Sequence, residues 1–365
     1  MNQNQDLKYW HAINKIEQIG PSRFKKLYNF FPSMELAFFA DFKNLKKAGF
    51  SEKIADLFTD QRRGIDPDKE FERLLADQIE IITIKDKNYP KLLKEIYNPP
   101  ALLYIRGNLK KQDEFAVAVV GTRKPSNYGR QVVPMIVQDL TENKITIVSG
   151  LAMGIDSLSQ ETCLASGGRT IAVLGSGVDN NSIYPRINYN LAQEIIENGA
   201  LVSEYPPGTD PRKEHFPARN RIISGLCLGV LVIEAGESSG ALITAHFALD
   251  QNREVFSTPG NIFSPNSFGT NNLIKKGAKL VTSSQDVLDE LNLSLATEYV
   301  KTQSIIPDTP EEAEILKNLS HEPTHVDKII KKTKLPVSKV NSTLSMMELK
   351  GKVKNLGNAN YVLSH

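Results

Sequence analysis

Between residues 66 and 292 short β-branched apolar runs alternate with longer segments of helical periodicity, and this alternation limits the chain to few folds. The runs fall at 79–84, 101–105, 115–120, 145–149, 170–174, 201–203, 230–234 and 254–257. Several are apolar on both faces, as in strands covered on both sides of their sheet. Helical patterns lie between them, for example at 128–140, 187–198 and 241–251. Strands separated by helices of this length need crossover connections, so the pattern predicts an α/β domain with a doubly wound parallel sheet.

The 365 residues exceed what one ordinary core needs, and the ends read differently from the centre. Residues 1–65 read as a small all-helical domain. Ile16-Glu17-Gln18-Ile19-Gly20-Pro21 is followed by Phe24 and Leu27, and Leu45-Lys46-Lys47-Ala48-Gly49-Phe50 by Ile54 and Leu57. Each is an apolar helix end, a glycine turn and a new helix opening at Ser22 or Ser51 as N-cap. The shape is that of a helix-hairpin-helix or SAM-like pair, whose helix-start amides can hold a phosphate. A helical packing or dimer module that never touches DNA fits too, since each hairpin lacks its usual second glycine. Residues 293–310, with Pro307 and Pro310, read as a linker. Residues 311–365 show helical patterns at 311–319, 326–332 and 337–349, then a short hairpin from Val353 to Tyr361-Val362-Leu363, which together predict a winged helix. In a DNA-reading winged helix, the 337–349 segment enters the major groove with Lys339, Asn341, Ser342 and Thr343, and Lys328, Lys331, Lys332 and Lys334 meet phosphates. Such domains also dock proteins.

The net charge of +2 hides a pattern. Residues 1–65 carry 8 Lys and 3 Arg against 7 Asp/Glu, and residues 325–365 carry 8 Lys against 2 Asp/Glu. The centre is therefore acidic, and any nucleic acid held there is held by a local site, not a bulk basic face. No run of about 18 apolar residues predicts a transmembrane helix. The N-terminus lacks the basic and apolar regions of a secretory signal. Cys163 and Cys227 form no CxxC pair and no zinc spacing, and they read as buried apolar residues of a cytoplasmic protein.

Glycine-rich turns follow four of the predicted strands: Gly121-Thr122-Arg123, Ser149-Gly150-Leu151-Ala152-Met153-Gly154-Ile155-Asp156, Gly175-Ser176-Gly177 and Ser238-Ser239-Gly240-Ala241. In a doubly wound sheet these carboxyl ends form the binding crevice. Small residues admit an oxyanion, and helix N-termini supply unpaired amides. Four turns on one edge predict a row of phosphate cradles. Arg123 is placed to clamp a phosphate bidentately. Arg219 and Arg221 fall near a helix start opened by Pro217, where positive charge opposes the dipole. A nearby anion is expected, either a ligand or one of Glu204, Glu214 and Glu234.

Other chemistry finds little footing. No GxGxxG follows a strand, no GxxxxGK[ST] occurs, and no HExxH or tight His/Asp/Glu cluster marks a metal. No cofactor is expected. His215 and His246 are isolated and read as structural or interfacial. Asp156 is expected to bond backbone within its own turn and Glu234 to pair with an arginine, so neither reads as a catalytic acid.

In order, GTR, SGLAMGID, GSGVD, YPRIN, SEYPPG, FPARNRIISGL, EAGESSGALITA and STPGN…GTNNLIKKGA resemble the DprA/Smf family over roughly residues 80–290, and the two ends resemble it more loosely. The resemblance implies a Rossmann-like domain over 66–292. It also implies a homodimer that binds single-stranded DNA without strong sequence preference and loads the RecA recombinase during natural transformation. Carried over by position, Gly121, Thr122 and Arg123 hold one phosphate, and Gly150, Met153, Gly154 and Ile155 form a second cradle. Ser239, Gly240 and Ala241 form a third, and Arg219, Asn220 and Arg221 shape or line the groove. Many relatives carry a basic residue near Ser238, where this chain has Glu237-Ser238-Ser239, which puts one phosphate contact in doubt. The dimer contact is expected within 262–280, where Leu273-Ile274 is an apolar pair. The family implies no enzyme. The alternative is a nucleotide N-glycosidase of the lysine-decarboxylase-like (LOG) type using the same crevice. A transcription regulator acting through the winged helix is a third reading.

Overall fold

The computed structural model places nine strands in one sheet: β1 (Glu80–Thr83), β2 (Leu102–Gly107), β3 (Ala116–Gly121), β4 (Thr146–Ser149), β5 (Thr170–Val173), β6 (Ala200–Ser203), β7 (Gly229–Ile233), β8 (Glu254–Ser257) and β9 (Lys279–Leu280). Their order is β1-β2-β6-β5-β4-β3-β7-β8-β9. Strands β3 to β9 run parallel, and β4 to β7 are buried along their whole length, as their unbroken apolar runs require. At one edge β2 runs antiparallel to β6 and β1 antiparallel to β2. The link from β1 to β2 holds only one short helix, Lys91–Lys94, and an antiparallel neighbour needs no full crossover. The alternation of runs does not distinguish these two strands from the rest. From β3 the chain winds one way through β4, β5 and β6, then returns so that β7 lies on the other side of β3. The topological switch, where a doubly wound sheet binds its ligand, is between β3 and β7.

Residues 3–293, 307–319, 323–350, 352–357 and 359–363 are described, in two compact units, Met1–Leu291 and Asn292–His365. Most of the expected linker (294–306) lies outside the described residues. In the large unit, the N-terminal helices share one hydrophobic core with the sheet. Trp10 of Gln3–Asn14 stacks on Phe24 of Pro21–Phe30 at 5.3 Å between ring centroids. From the same first helix, His11 Nδ1 bonds the Tyr104 hydroxyl of β2 at 2.8 Å, and Asn14 donates to the Glu204 carbonyl at 3.0 Å. Burial and Lys15 push the His11 imidazole down to about 4, so it is neutral at pH 7. Of the two expected serine N-caps, Ser51 is found at its position and Ser22 is not. Pro21 opens its helix with Gly20 as N-cap, which places Ser22 inside the first turn, and Ser51 stands at its N-cap without a side-chain bond.

The C-terminal unit is a winged helix. Helices Pro310–Leu316, Val326–Thr333 and Val337–Leu349 enclose Ile315, Ile329, Val340, Leu344 and Met347. A three-stranded sheet, β10 (Thr324–His325), β12 (Asn360–Leu363) and β11 (Val353–Asn355) in that order, completes it. β10 adds a strand to the expected hairpin. Glu312 is buried and accepts from Lys350 at 2.8 Å and Lys352 at 2.6 Å, and Asp308 accepts from the same two lysines. Burial works against the Glu312 carboxylate, but the Asp308 amide and both lysines outweigh it and pull the group down to about 2. Lys350 and Lys352 likewise hold Asp308 at about 2.

Candidate nucleic-acid interface

A cavity of 810 Å³ opens at the switch between β3 and β7. Its floor is backbone. Gly121 ends β3 where a Cβ would lie 2.0 Å from the Ile233 carbonyl of β7, so only glycine lets the two strands close here. The next turn interlocks with it. The Thr122 amide donates to the Glu234 carbonyl (2.8 Å), and the Thr122 carbonyl accepts from Ile155 (3.1 Å). Gly154 lies at φ +91° with Thr122 and Arg123 against the place a Cβ would take. Two larger residues also adopt left-handed backbone at strand ends, Leu151 (φ 57°) and Glu234 (φ 53°). Asn188 donates to the Leu151 carbonyl at 2.8 Å.

The third wall is the start of helix Gly240–Asp250, capped by Ser239, whose hydroxyl accepts from the Ala241 amide at 3.3 Å. Arg123, Lys124 and Lys213 project from the rim, all exposed. They give the mouth a positive field although the central region as a whole is acidic. Beside it Arg123, Gly150, Met153, Tyr184, Phe216 and Arg219 line a smaller recess. The Arg123 guanidinium lies 5.9 Å from the Phe216 ring centroid, and Tyr184 packs on Phe216 at 5.8 Å.

The expected site residues divide into three groups. Gly121, Thr122, Arg123, Arg219, Asn220, Ser239, Gly240 and Ala241 line the main cavity. Gly150 and Met153 line the recess. Gly154, Ile155 and Arg221 line neither and act from behind. The Ile155 amide is spent on Thr122, and the Gly150 amide on Asp156 at 3.0 Å, which is the backbone role expected of Asp156.

The buried arginines face inward. Arg219 donates to the carbonyls of Gly150 (2.6 Å) and Val173, which ties the ends of β4 and β5 together. Burial lowers it to about 10, against the favourable pull of Asp156. Arg221 forms an ion pair with partly buried Glu204, one of the three expected anions. Glu234, expected to pair with an arginine, instead accepts from the Ser126 amide (2.8 Å) and hydroxyl (2.5 Å) and so anchors the cap of helix Asn127–Glu142. The turn at 175–177 is not part of the cavity: Gly177 donates to Thr209, Ser176 to Ser182, and Phe216 packs over Gly175. His215 bonds the Gly175 carbonyl and stacks on Tyr205, a structural role.

Lys124, Lys213, Tyr184 and Asn266 line the cavity without having been expected to. Tyr184 and Phe216 stand inside motifs quoted above, but only folding shows that they meet. Among the described residues no group of three or more His, Cys, Asp and Glu is placed to hold a metal. No described helix is long and apolar enough to cross a membrane.

Residues 80–292 match the model of the DNA recombination-mediator protein A family, and residues 300–358 match the DprA winged helix domain. Protein Smf of Synechocystis sp. is 35% identical over 96% of this chain and 97% of its own. The X-ray structure of DNA processing protein A from Streptococcus pneumoniae superposes with a TM-score of 0.68 at 39% identity, covering 78% of this chain and 97% of that one. DNA processing protein A from Helicobacter pylori, described for a unique single-stranded DNA binding mode, gives 0.53 at 33% identity, over 60% and 96%.

Proposed function

Because this chain belongs to the DNA recombination-mediator protein A (DprA/Smf) family, we propose that it binds single-stranded DNA along the β3/β7 crevice by its backbone phosphates. We further propose that, as a cytoplasmic homodimer, it passes that strand to RecA in natural transformation and homologous recombination. The observation that carries the binding reading is Arg123, an exposed guanidinium beside a backbone-lined cavity at the switch point of the sheet. Phosphates would meet Arg123, Lys124 and Lys213 and the first turn of the Gly240 helix. Phe216 and Tyr184 offer ring surfaces to bases without reading their edges, which suits binding indifferent to sequence. A second copy has apolar surface to pack on at Ile262, Phe263 and Phe268, all exposed, whereas Leu273 is buried in the core.

The crevice binds and does not cleave in this reading. Glycosidic cleavage would need a carboxylate presented to the ligand, and Glu234 is engaged with Ser126. Nucleoside monophosphates incubated with the protein should release no base. Turnover that Glu234→Ala abolishes would replace binding with N-glycosidase chemistry.

The direct test is a fluorescent oligo-dT titrated against the protein and Arg123→Ala across a salt series. Loss of one charge-assisted contact of about 1.5–3 kcal/mol weakens binding roughly tenfold or more. The log–log salt slope falls by about 0.7 for the lost phosphate. Binding indifferent to Arg123→Ala would remove DNA from the crevice.

A further inference from the structure

The turn after β4 keeps a shape that its own residues do not favour. Leu151 has a fully buried side chain and backbone at φ 57°, a conformation that L-residues avoid. Most polar backbone groups around it are taken within the fold. The Gly150 amide donates to Asp156 at 3.0 Å, and the Gly150 carbonyl accepts from Arg219 at 2.6 Å. The Leu151 carbonyl accepts from the Asn188 side-chain amide at 2.8 Å, and the Ala152 carbonyl from the Ser157 amide at 3.0 Å. Among the described residues, the Met153 amide donates to no group of the protein, and Met153 lines the recess together with Arg123.

Asp156 and Ser157 lie in helix Ile155–Ala165, which the turn itself opens, and Arg219 ties two strand ends. Among the described residues only Asn188 holds the carbonyl of the left-handed residue. It stands 37 residues along the chain, buried in the short turn Arg186–Asn188 that precedes helix Tyr189–Asn198. The same segment carries Tyr184 into the recess, where its ring packs on Phe216. Among the described residues no other hydrogen bond joins 150–154 to 184–188. Asn188 lines neither the cavity nor the recess, so its effect on a ligand passes through Leu151.

The Leu151 carbonyl and the Ala152 amide share one rigid peptide plane. A buried carbonyl stripped of its donor is costly, and it turns toward another donor or water. The plane turns with it, and the Met153 amide that follows is displaced.

We propose that Asn188 is a positioning residue for single-stranded DNA: by holding Leu151 it sets the Met153 amide as a phosphate donor beside Arg123. The inference rests on the crevice reading above and adds to it a neutral backbone contact controlled from a second segment.

The test measures oligo-dT affinity across a salt series, with urea denaturation alongside, for the full chain, Asn188→Ala and Arg123→Ala. Asn188→Ala should weaken binding about tenfold, the loss of one hydrogen bond to a charged group. Its salt slope should match that of the unaltered chain, because no cation is removed, whereas Arg123→Ala lowers affinity and slope together. In the unaltered chain, with methionine backbone nitrogens isotope-labelled, the Met153 amide resonance should shift on addition of oligo-dT. That measurement stands even where Asn188→Ala fails to fold. Lower stability with unchanged affinity would make Asn188 a structural residue only and overturn the proposal. A slope reduced as in Arg123→Ala would place the loss in a cation and overturn it, as would a Met153 resonance indifferent to oligo-dT. Binding that depends on Arg123 but not on Asn188 sinks this inference alone; no oligo-dT binding by the unaltered chain sinks the crevice reading with it.

Discussion

In the large unit, Arg219, His11 and Arg221 are buried and bonded to the scaffold: Arg219 to two strand-end carbonyls, His11 to Tyr104, Arg221 to Glu204. In the C-terminal unit Asp308 stays at the surface, bound to Lys350 and Lys352, and Lys328, Lys331, Lys332 and Lys334 are exposed. Lys339, a candidate reader of DNA, lies 3.2 Å from Glu311. One unit uses charge to fix a shape and, in the proposed function, leaves recognition to backbone and a few rim cations. The other leaves most of its charge on the surface as a field. Shape-fixing charges should be costly to remove and indifferent to salt, and field charges the reverse.

The largest expected effect is on stability. Arg219→Ala strips donors from the buried Gly150 and Val173 carbonyls and leaves buried Asp156 without its opposing cation. Unfolding free energy should fall by about 3–5 kcal/mol, read by urea denaturation, whereas Lys331→Ala should stay within about 0.5 kcal/mol. Similar losses in the two variants would erase the distinction.

Acid separates the units next. Neutral His11 is held at about 4 when folded and returns to about 6.5 when unfolded, so the unfolded chain binds the extra proton. Stability of the large unit is therefore complete above pH 6.5 and is lost as pH falls toward 4, by about 3 kcal/mol. The chain has one tryptophan, Trp10, in the same helix, and its fluorescence reports the midpoint. His11→Gln should flatten this slope. In the winged helix, Asp308 and Glu312 are depressed to about 2, so what they contribute persists above their unfolded values near 4 and is lost only as pH approaches 2.

The smallest effect concerns the field. Lys331→Gln/Lys332→Gln should change oligo-dT affinity by no more than about threefold and the salt slope by at most about 0.7 per lysine. A loss larger than that of Arg123→Ala would move single-stranded DNA onto the winged helix.

The strands were legible because burial on both faces demands unbroken β-branched runs, and β4 to β7 have them. β9 has no such mark, being two exposed residues, Lys279 and Leu280. Gly121 and Gly154 were legible as strand-end turns because close approach and positive φ both exclude a side chain there. What the arginines do was only partly legible. Positive charge near a helix start does call for negative partners, but for Arg219 these include strand-end carbonyls, which no residue type marks. Nor does sequence show that Glu234 turns to Ser126, 108 residues away, or that the 175–177 turn folds inward while its neighbours face the crevice.

Leu151 and Glu234 hold left-handed backbone at two of the strand ends around the crevice, a conformation that disfavours L-residues by roughly 1–2 kcal/mol each. Such residues persist only where the surrounding fold over-determines them. The groove is thus shaped when the chain folds, before any ligand arrives, and a flatter groove is a different backbone, not a relaxation of this one. The loss of conformational freedom on binding then falls almost wholly on the incoming strand. Under the proposed function, a supple single strand meets that demand more readily than a stiff duplex, and a preference between them would need no contact with a base.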